Sequence, residues 1–177
     1  MSSFSSVYAS SLFSLSQDEN KTDVIMEQLK ELSSVFSENS DYCKLLDSPV
    51  IKLSERLDMI DKAFSGADEY ILNFIKILCE KKSVHLFSEC AKHFEKLYNK
   101  ANNIEKVTVI TAVALSDSLK EKLVSKLEKE YSKKIVPEYR VDSEILGGII
   151  IRTENSQTDA SVRSRLDAIK AQLSSAM

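Results

Sequence analysis

The sequence has few of the residues that build elaborate loops. Its 177 residues include only three glycines and two prolines, and these two residue types mark most turns. Neither the Walker pattern nor GxGxxG occurs, although many nucleotide sites hold phosphate with such glycine-rich loops. We therefore expect long regular elements joined by short connections, with no bound nucleotide of this kind and no cofactor.

Cysteines are also few, and long apolar runs do not occur. Cys43, Cys79 and Cys90 are an odd number without CxxC spacing, and each lies in an apolar helical context. This usage indicates packed, reduced thiols rather than a disulfide or a metal site. No stretch reaches the roughly 18–20 apolar residues that span a bilayer, and no basic segment precedes an apolar run at the start. We expect neither direct membrane insertion nor an export signal.

Charge of neither sign dominates. The net charge of −3 arises from 24 basic and 27 acidic side chains that are mixed along the chain. Such a mixture creates no strong positive field for phosphate backbones, so nucleic acid is not an expected partner. The lysines between residues 119 and 134 alternate with glutamates, which is typical of a solvated helix face.

Helical periodicity runs through residues 1–103. Apolar residues recur there at spacings of three and four in six successive segments. The fifth segment, from Tyr70 to Cys79, is apolar on nearly every side, so it belongs either in the middle of a bundle or against a partner. The pattern predicts an N-terminal six-helix bundle with short loops.

Residues 104–177 show a different pattern. The run from Val107 to Val113 is β-branched on both faces, which predicts a covered central strand. A helix follows, and then a strand from Ile135 to Val141 that Pro137 moves to a sheet edge because proline lacks an N–H group. The run from Leu146 to Ile151 predicts a third strand. With a final helix capped by Asp159, the order is strand, helix, strand, strand, helix, and the whole chain is mostly helical α+β.

Several candidate sites have simpler explanations. His85, Glu89 and His93 recur every four residues and have side chains that bind zinc. No fourth ligand is evident, and a solvated helix edge has the same spacing, so we predict no metal site. Gly147-Gly148 lies inside an apolar strand, where such a pair indicates close backbone approach or a bulge. No local signature of a nucleophilic site occurs, which predicts no catalytic residue, although a small enzyme with a spatially assembled site remains an alternative.

The C-terminal sequence carries a family resemblance. Gly147-Gly148 within an apolar strand is followed by Asp159-Ala160-Ser161-Val162 and by Leu166. This stretch resembles the delta subunit of bacterial ATP synthase and its mitochondrial counterpart, the oligomycin-sensitivity-conferring protein. The family pattern is a double glycine, a tight turn and then D-G-S-V-x-x-x-L. This chain departs from it with Glu154-Asn155 at the hairpin and with Ala160 in place of glycine.

Weaker similarities extend the resemblance over nearly the whole chain. They are Tyr8-Ala9 with Leu12-Phe13, Leu45-Leu46-Asp47-Ser48-Pro49, Asn73-Phe74-Ile75 with Leu78, and Thr111-Ala112 before Leu115-Ser116. The resemblance implies a non-catalytic stator subunit of a rotary proton-translocating ATP synthase. Its helical bundle would bind alpha subunits, with beta subunits as a further candidate, and its C-terminal domain would bind the b-type stalk. It would lie on the cytoplasmic face of the bacterial inner membrane, or on the matrix face in a mitochondrion. A helical regulatory or ribosome-associated adaptor is the alternative.

Two sets of residues are candidate interfaces under this interpretation. The alpha-subunit set lies on the first and fifth helices, where a groove would receive a partner helix, and the same residues could instead form the bundle core. The stalk set recurs at nearly coiled-coil spacing on the last helix, where it could instead pack on the sheet. Gly147, Gly148 and Asp159 are assigned to a structural turn. The alpha-subunit set is Tyr8, Ser11, Leu12, Leu15, Ile75, Leu78 and Cys79, and the stalk set is Val162, Leu166, Ile169 and Leu173.

Overall fold

The chain folds into two compact units. A computed structural model describes residues 3–143, 145–154 and 156–175, and within these ranges it does not describe the side chains of residues 3, 168, 169 and 171–175. The units are Met1–Asn99 and Lys100–Met177. No helix in the described ranges is long and apolar enough to cross a membrane.

The first unit is helical, as the periodicity predicts. Each of the six apolar stripes in the sequence forms an α-helix, and a short 3-10 turn precedes the last one. The elements are α1 (Ser3–Asp18), α2 (Thr22–Glu38), α3 (Ser40–Asp47), α4 (Leu53–Ala63), α5 (Glu69–Glu80), the 3-10 turn Val84–Leu86 and α6 (Phe87–Ala101).

All six helices contribute to a single apolar core. Aromatic rings form much of its centre: Phe36 of α2 lies 4.8 Å from Phe87 of α6, measured between ring centroids, and Phe13 of α1 meets Phe94 edge-on at 5.4 Å. Such pairs add favourable quadrupole contacts to the burial of apolar area. The three cysteines are free and buried, as their apolar contexts predict.

One charged side chain lies inside this core. Arg56 of α4 is only 5% exposed. Its Nη1 donates to the carbonyl oxygen of Leu46 at 2.6 Å and to that of Cys79 at 3.2 Å. These carbonyls belong to the last turns of α3 and α5, where the helix dipole favours a cation. The Leu46 oxygen also accepts from the Cys79 thiol at 3.4 Å, and the Cys79 oxygen from the Lys82 N–H at 3.1 Å. The guanidinium therefore joins two helix ends from a third helix.

The second unit is a small α+β domain. Its elements are β1 (Ile104–Thr111), α7 (Asp117–Tyr131), β2 (Lys134–Val141), β3 (Ile149–Arg152), β4 (Gln157–Asp159) and α8 (Val162–Ser175). The sheet order is β2-β1-β3-β4. β1 and β2 are parallel, whereas β3 is antiparallel to both β1 and β4. The predicted element order is correct except for the additional strand β4, which pairs with β3 in a hairpin.

β1 is central and β2 lies at an edge, as predicted. Pro137 stands opposite Val107 on this edge strand. An edge strand pairs on one side only, so the missing N–H of proline removes no hydrogen bond to a second neighbouring strand. One face of β1 is buried with α7 in a core of Val107, Val109, Leu127 and Ile135. The residues on its other face, including Thr108 and Ile110, are only half-buried. The prediction of a strand covered on both faces is therefore correct for one face only.

The glycine pair marks a close approach of two backbone segments. Gly148 has φ of +90°, and a Cβ atom there would lie 2.5 Å from the carbonyl oxygen of Ala160 and 2.8 Å from the Cα of Ser161. Both the dihedral angle and the space therefore require glycine. The N–H of Val162 donates to the carbonyl oxygen of Gly147 at 3.0 Å, so the same pair anchors the start of α8.

The N-terminus of α8 is capped by a different residue from the one predicted. The Oγ of Ser161 accepts from the N–H of Ser164 at 3.2 Å, so Ser161 is the N-cap. The Asp159 carboxylate lies two residues before Ser161 and accepts from the Ser161 N–H at 2.8 Å and from the Ser164 Oγ at 3.1 Å. These hydrogen bonds lower the pKa of Asp159, the backbone one most strongly. Asp159 thus supports the cap instead of forming it.

Candidate functional site

An apolar groove separates α1 from α5 on the surface of the first unit. It has a volume of about 530 Å³. We call it the α1–α5 groove. Its lining consists of Val7, Tyr8, Ser11, Leu12 and Leu15 from α1, and of Tyr70, Asn73, Phe74 and Ile77 from α5.

The groove exposes large apolar side chains. Val7 is 58% exposed, Leu15 40% and Ile77 42%. Single exposed apolar residues are ordinary, but a contiguous group in a concave surface marks an interaction site. Because two helices bound the groove, its shape can receive the apolar face of a third helix.

Four of the seven residues predicted for the alpha-subunit interface meet in this groove. They are the α1 residues Tyr8, Ser11, Leu12 and Leu15. Ser11 adds little polarity, because its Oγ donates to the carbonyl oxygen of Val7 at 3.0 Å within the same helix. A small side chain at this position leaves the groove open.

The three predicted α5 residues lie elsewhere. Ile75, Leu78 and Cys79 are fully buried in the core, so their assignment to the groove lining is corrected. α5 instead presents Tyr70, Asn73, Phe74 and Ile77 to the groove. The polar residues of α5 recur at spacings of four, three and four and so mark one face of the helix, which the prediction of an all-round apolar helix overlooked; they are Glu69, Asn73, Lys76 and Glu80. Asn73 marks the groove-facing side in the sequence, because it is the one uncharged polar residue within the apolar run. It stands three residues after Tyr70 and four residues before Ile77.

A polar cluster fixes Tyr70 at one end of the groove. The Nζ of Lys21 lies 5.1 Å from the centroid of the Tyr70 ring and 2.9 Å from Oδ2 of Asp68. Oδ1 of Asp68 accepts from the N–H of Tyr70 at 3.0 Å, which caps α5. The hydrogen bond between Lys21 and Asp68 raises the pKa of the lysine and lowers that of the aspartate. Tyr70 is therefore held through both its ring and its backbone.

The apolar seam predicted on the last helix is exposed where the structure describes it. Val162 is 43% exposed and Leu166 55%. The side chains of Ile169 and Leu173, the other two residues of the seam, lie outside the described residues. The described half of the seam is thus only about half-buried.

Residues considered for metal binding have other contacts. Nδ1 of His85 lies 2.6 Å from Oδ2 of Asp47, and Asp47 also accepts from the N–H of Val84 and so caps the 3-10 turn. His93 lines a separate depression beside α1. Across the ranges that the structure describes, no three His, Cys, Asp or Glu side chains are grouped to hold a metal ion.

The thiols are poorly suited to nucleophilic chemistry. Burial raises the pKa of Cys43 and Cys79, and it raises that of Cys90 from 9.0 to about 11. The nucleophilic form of cysteine is the thiolate, which such environments disfavour. These cysteines are structural residues of the core.

Comparisons with known proteins agree on one family. Residues 5–173 match the family model described as the ATP synthase delta (OSCP) subunit. The ATP synthase subunit delta of Clostridioides difficile is 34% identical over 94% of this chain and 93% of its own length. That of Clostridium botulinum strain Langeland is 32% identical over 92% of both.

A solved structure has the same fold. A chain of the Toxoplasma gondii mitochondrial ATP synthase hexamer superposes with a TM-score of 0.74 over 97% of this chain and 98% of that chain, at 19% identity. These matches do not favour a regulatory or ribosome-associated adaptor. The chain belongs to the ATP synthase delta (OSCP) subunit family, whose members are non-catalytic stator subunits of the peripheral stalk.

Proposed function

We propose that this protein fastens the catalytic head of a rotary ATP synthase to its peripheral stalk, with each unit holding a different partner. Family membership supports the stator role. Torque from the rotor would turn the head unless a fixed tie resisted it, and such a tie needs affinity and stiffness rather than chemistry. Two compact units, each with an exposed apolar surface of its own, suit a connector between two partners.

The six helices of the first unit would act as one bundle that holds alpha subunits, with beta subunits as a further contact on the head. The occupant of the α1–α5 groove would be an N-terminal helical segment of an alpha subunit. The observation that carries this assignment is the groove itself, which is apolar, about 530 Å³ in volume and bounded by two helices. A helix laid in it would bury the exposed parts of Val7, Leu15 and Ile77.

The second unit would bind the b-type stalk through α8. Val162 and Leu166 provide the described part of an apolar seam, and Ile169 and Leu173 continue its spacing in the sequence. Charged residues of both signs, Arg163, Arg165, Asp167 and Lys170, flank the seam. Such charges at an interface rim set register and suppress wrong partners.

The complex would place this chain at a membrane without inserting it. The relatives at 34% and 32% identity are bacterial, which supports the cytoplasmic face of the inner membrane as its location. Its attachment there would be peripheral, through the stalk.

A single substitution tests the groove assignment. Ser11→Arg places a long charged side chain in the groove, so an affinity-tagged variant should retain less alpha subunit than the wild-type chain. Ser14→Arg is the matched control, because Ser14 is an exposed serine of α1 that does not line the groove. Circular dichroism should show both variants folded. Equal retention of alpha subunit by the two variants would contradict the assignment.

A further inference from the structure

The two ends of the α1–α5 groove carry different charges. α1 and α5 run in opposite directions along it, because Lys21, which follows α1, contacts Tyr70 in the first turn of α5. One end of the groove therefore lies at Leu15 and Tyr70. The other end lies at Val7 and Ile77.

The Tyr70 end is acidic. Residues three positions apart share a helix face, so the stripe that includes Leu15 continues into Asp18, the last residue of α1. Glu19 follows it, with its N–H donating to the Leu15 carbonyl oxygen at 3.1 Å, and both acids are exposed. Glu69, also exposed, precedes Tyr70 on α5. The cation at this end, Lys21, is already paired with Asp68 at 2.9 Å. Three carboxylates therefore set the charge there.

The pKa of Tyr70 reflects the nearby negative charge. Burial raises the pKa of its hydroxyl, and the Glu19 carboxylate raises it further. Glu19 thus lies within hydrogen-bonding reach of a residue that lines the groove.

The opposite end is nearly balanced. Glu80, the last residue of α5, and Lys81, which follows it, stand three and four residues after Ile77 and contribute one charge of each sign. On α1 the residues around Val7 are serines, Phe4 and Tyr8. An apolar groove alone accepts a helix in either direction, whereas this charge difference distinguishes the two directions.

We propose that the groove fixes the direction of its bound helix by placing the helix's basic side chains over Asp18, Glu19 and Glu69 at the Tyr70 end. The inference rests on the proposed function, which makes the occupant an alpha-subunit segment, and it adds the chemistry of that segment: an amphipathic helix with lysine or arginine near one end. Exposed ion pairs contribute little individually and are screened by salt. They select direction and register while the apolar contacts hold the helix.

Charge reversal in the full-length chain tests this proposal. The probe is a synthetic peptide of the alpha-subunit N-terminal segment, and its affinity is measured by calorimetry at low and high salt. The variant D18K/E19K/E69K should bind the peptide about five- to tenfold more weakly than the wild-type chain at low salt, and the difference should shrink at high salt. The neutral variant D18N/E19Q/E69Q should lie between the two.

The matched control is E31K/E38K/D58K, which changes the net charge equally at exposed acids of α2 and α4 outside the groove. It should leave the affinity within about twofold of the wild-type value, as expected for general attraction alone. A peptide with its basic residues changed to glutamate should bind D18K/E19K/E69K better than it binds the wild-type chain.

The outcomes separate this inference from the function on which it rests. Equal loss of affinity in the groove and control variants, or no rescue by the glutamate peptide, overturns the directional role while leaving the groove assignment intact. If the wild-type chain binds no peptide at either salt concentration, or if Ser11→Arg leaves binding unchanged, the groove assignment itself fails and this inference fails with it.

Discussion

The arginine buried among α3, α4 and α5 is the clearest residue-level support of the first unit. Replacing Arg56 with methionine keeps much of the side-chain volume but removes the charged donor of the carbonyl oxygens of Leu46 and Cys79. Leu46 would keep the Cys79 thiol as donor, at 3.4 Å, and Cys79 the Lys82 N–H, at 3.1 Å. A hydrogen bond to a charged group contributes about 1.5–3 kcal/mol, so we expect the loss of these two bonds in Arg56→Met to lower the free energy of unfolding by about 2–4 kcal/mol.

Urea unfolding of the full chain measures this loss through the midpoint and slope of the transition. Lys62→Met is the matched control, since Lys62 is an exposed cation of the same helix, and it should change stability by less than about 0.5 kcal/mol. Equal effects of the two substitutions would show that Arg56 contributes no more than a surface cation.

Gly148 is the second residue whose identity the backbone dictates. An alanine there would place its Cβ against the Ala160 carbonyl at a φ of +90°. We expect Gly148→Ala to destabilise the chain by about 1–3 kcal/mol and to speed amide exchange in β3. Gly66→Ala is its control, because a Cβ at Gly66 meets nothing within 4 Å, and it should be neutral or slightly stabilising. Comparable losses from both would argue against the close approach.

The buried thiols make stability fall at alkaline pH. The pKa of Cys90 is raised in the folded state, from 9.0 to about 11, so the contribution of the neutral thiol is fully present below pH 9 and is lost as the pH rises towards 11. Urea melts across that window should show declining stability, and Cys90→Ala should decline less steeply. Parallel pH profiles for the two chains would contradict this assignment.

At the scale of the element, periodicity predicts most of the fold. All six helical segments of the first unit, the central β1 and the edge strand with Pro137 follow from the spacing of apolar residues and from proline chemistry. β4 was missed because Gln157, Thr158 and Asp159 are exposed and have no apolar alternation. The groove-facing side of α5 was missed because few polar residues interrupt the apolar run from Tyr70 to Cys79, and Asn73 is the one that marks that side.

The terminal helix provides a test at the same scale. Truncation after Arg165 removes Leu166, Ile169 and Leu173 from the seam. We expect the shortened chain to lose binding to the b-type stalk and to keep binding to alpha subunits, because the groove lies in the other unit. Pull-down of each partner measures both effects. If the second unit unfolds on truncation, or if the shortened chain still binds the stalk, the seam is part of the domain core and not the stalk interface.

At the scale of the whole molecule, the mostly helical α+β class follows from the sequence pattern, whereas the partners do not. Composition and charge exclude several classes of ligand, but no physical property of the sequence identifies a head or a stalk as partner. That part of the interpretation depends on the resemblance around Gly147-Gly148 and on the family match over residues 5–173. Arg56 is an example of what the sequence does not predict, since its burial depends on where three helices meet.

A stator subunit has no need of nucleotide, and the sequence lacks the glycine-rich phosphate loops that would bind one. We expect the isolated chain to hydrolyse no ATP and to bind none at millimolar concentration. Calorimetry with ATP and magnesium measures binding, and phosphate release measures turnover. Stoichiometric binding would show that the chain has a ligand site beyond its partner surfaces.

The parallel pairing of β1 with β2 also affects how the protein is made. During translation β1 leaves the ribosome before its partner strand exists, because all of α7 lies between them. At roughly 5–20 residues per second this delay amounts to seconds, and the exposed run Val107-Thr108-Val109-Ile110 has the β-branched composition that promotes aggregation. Glu105 and Lys106 stand immediately before it, where charged residues act as gatekeepers against premature association between nascent chains.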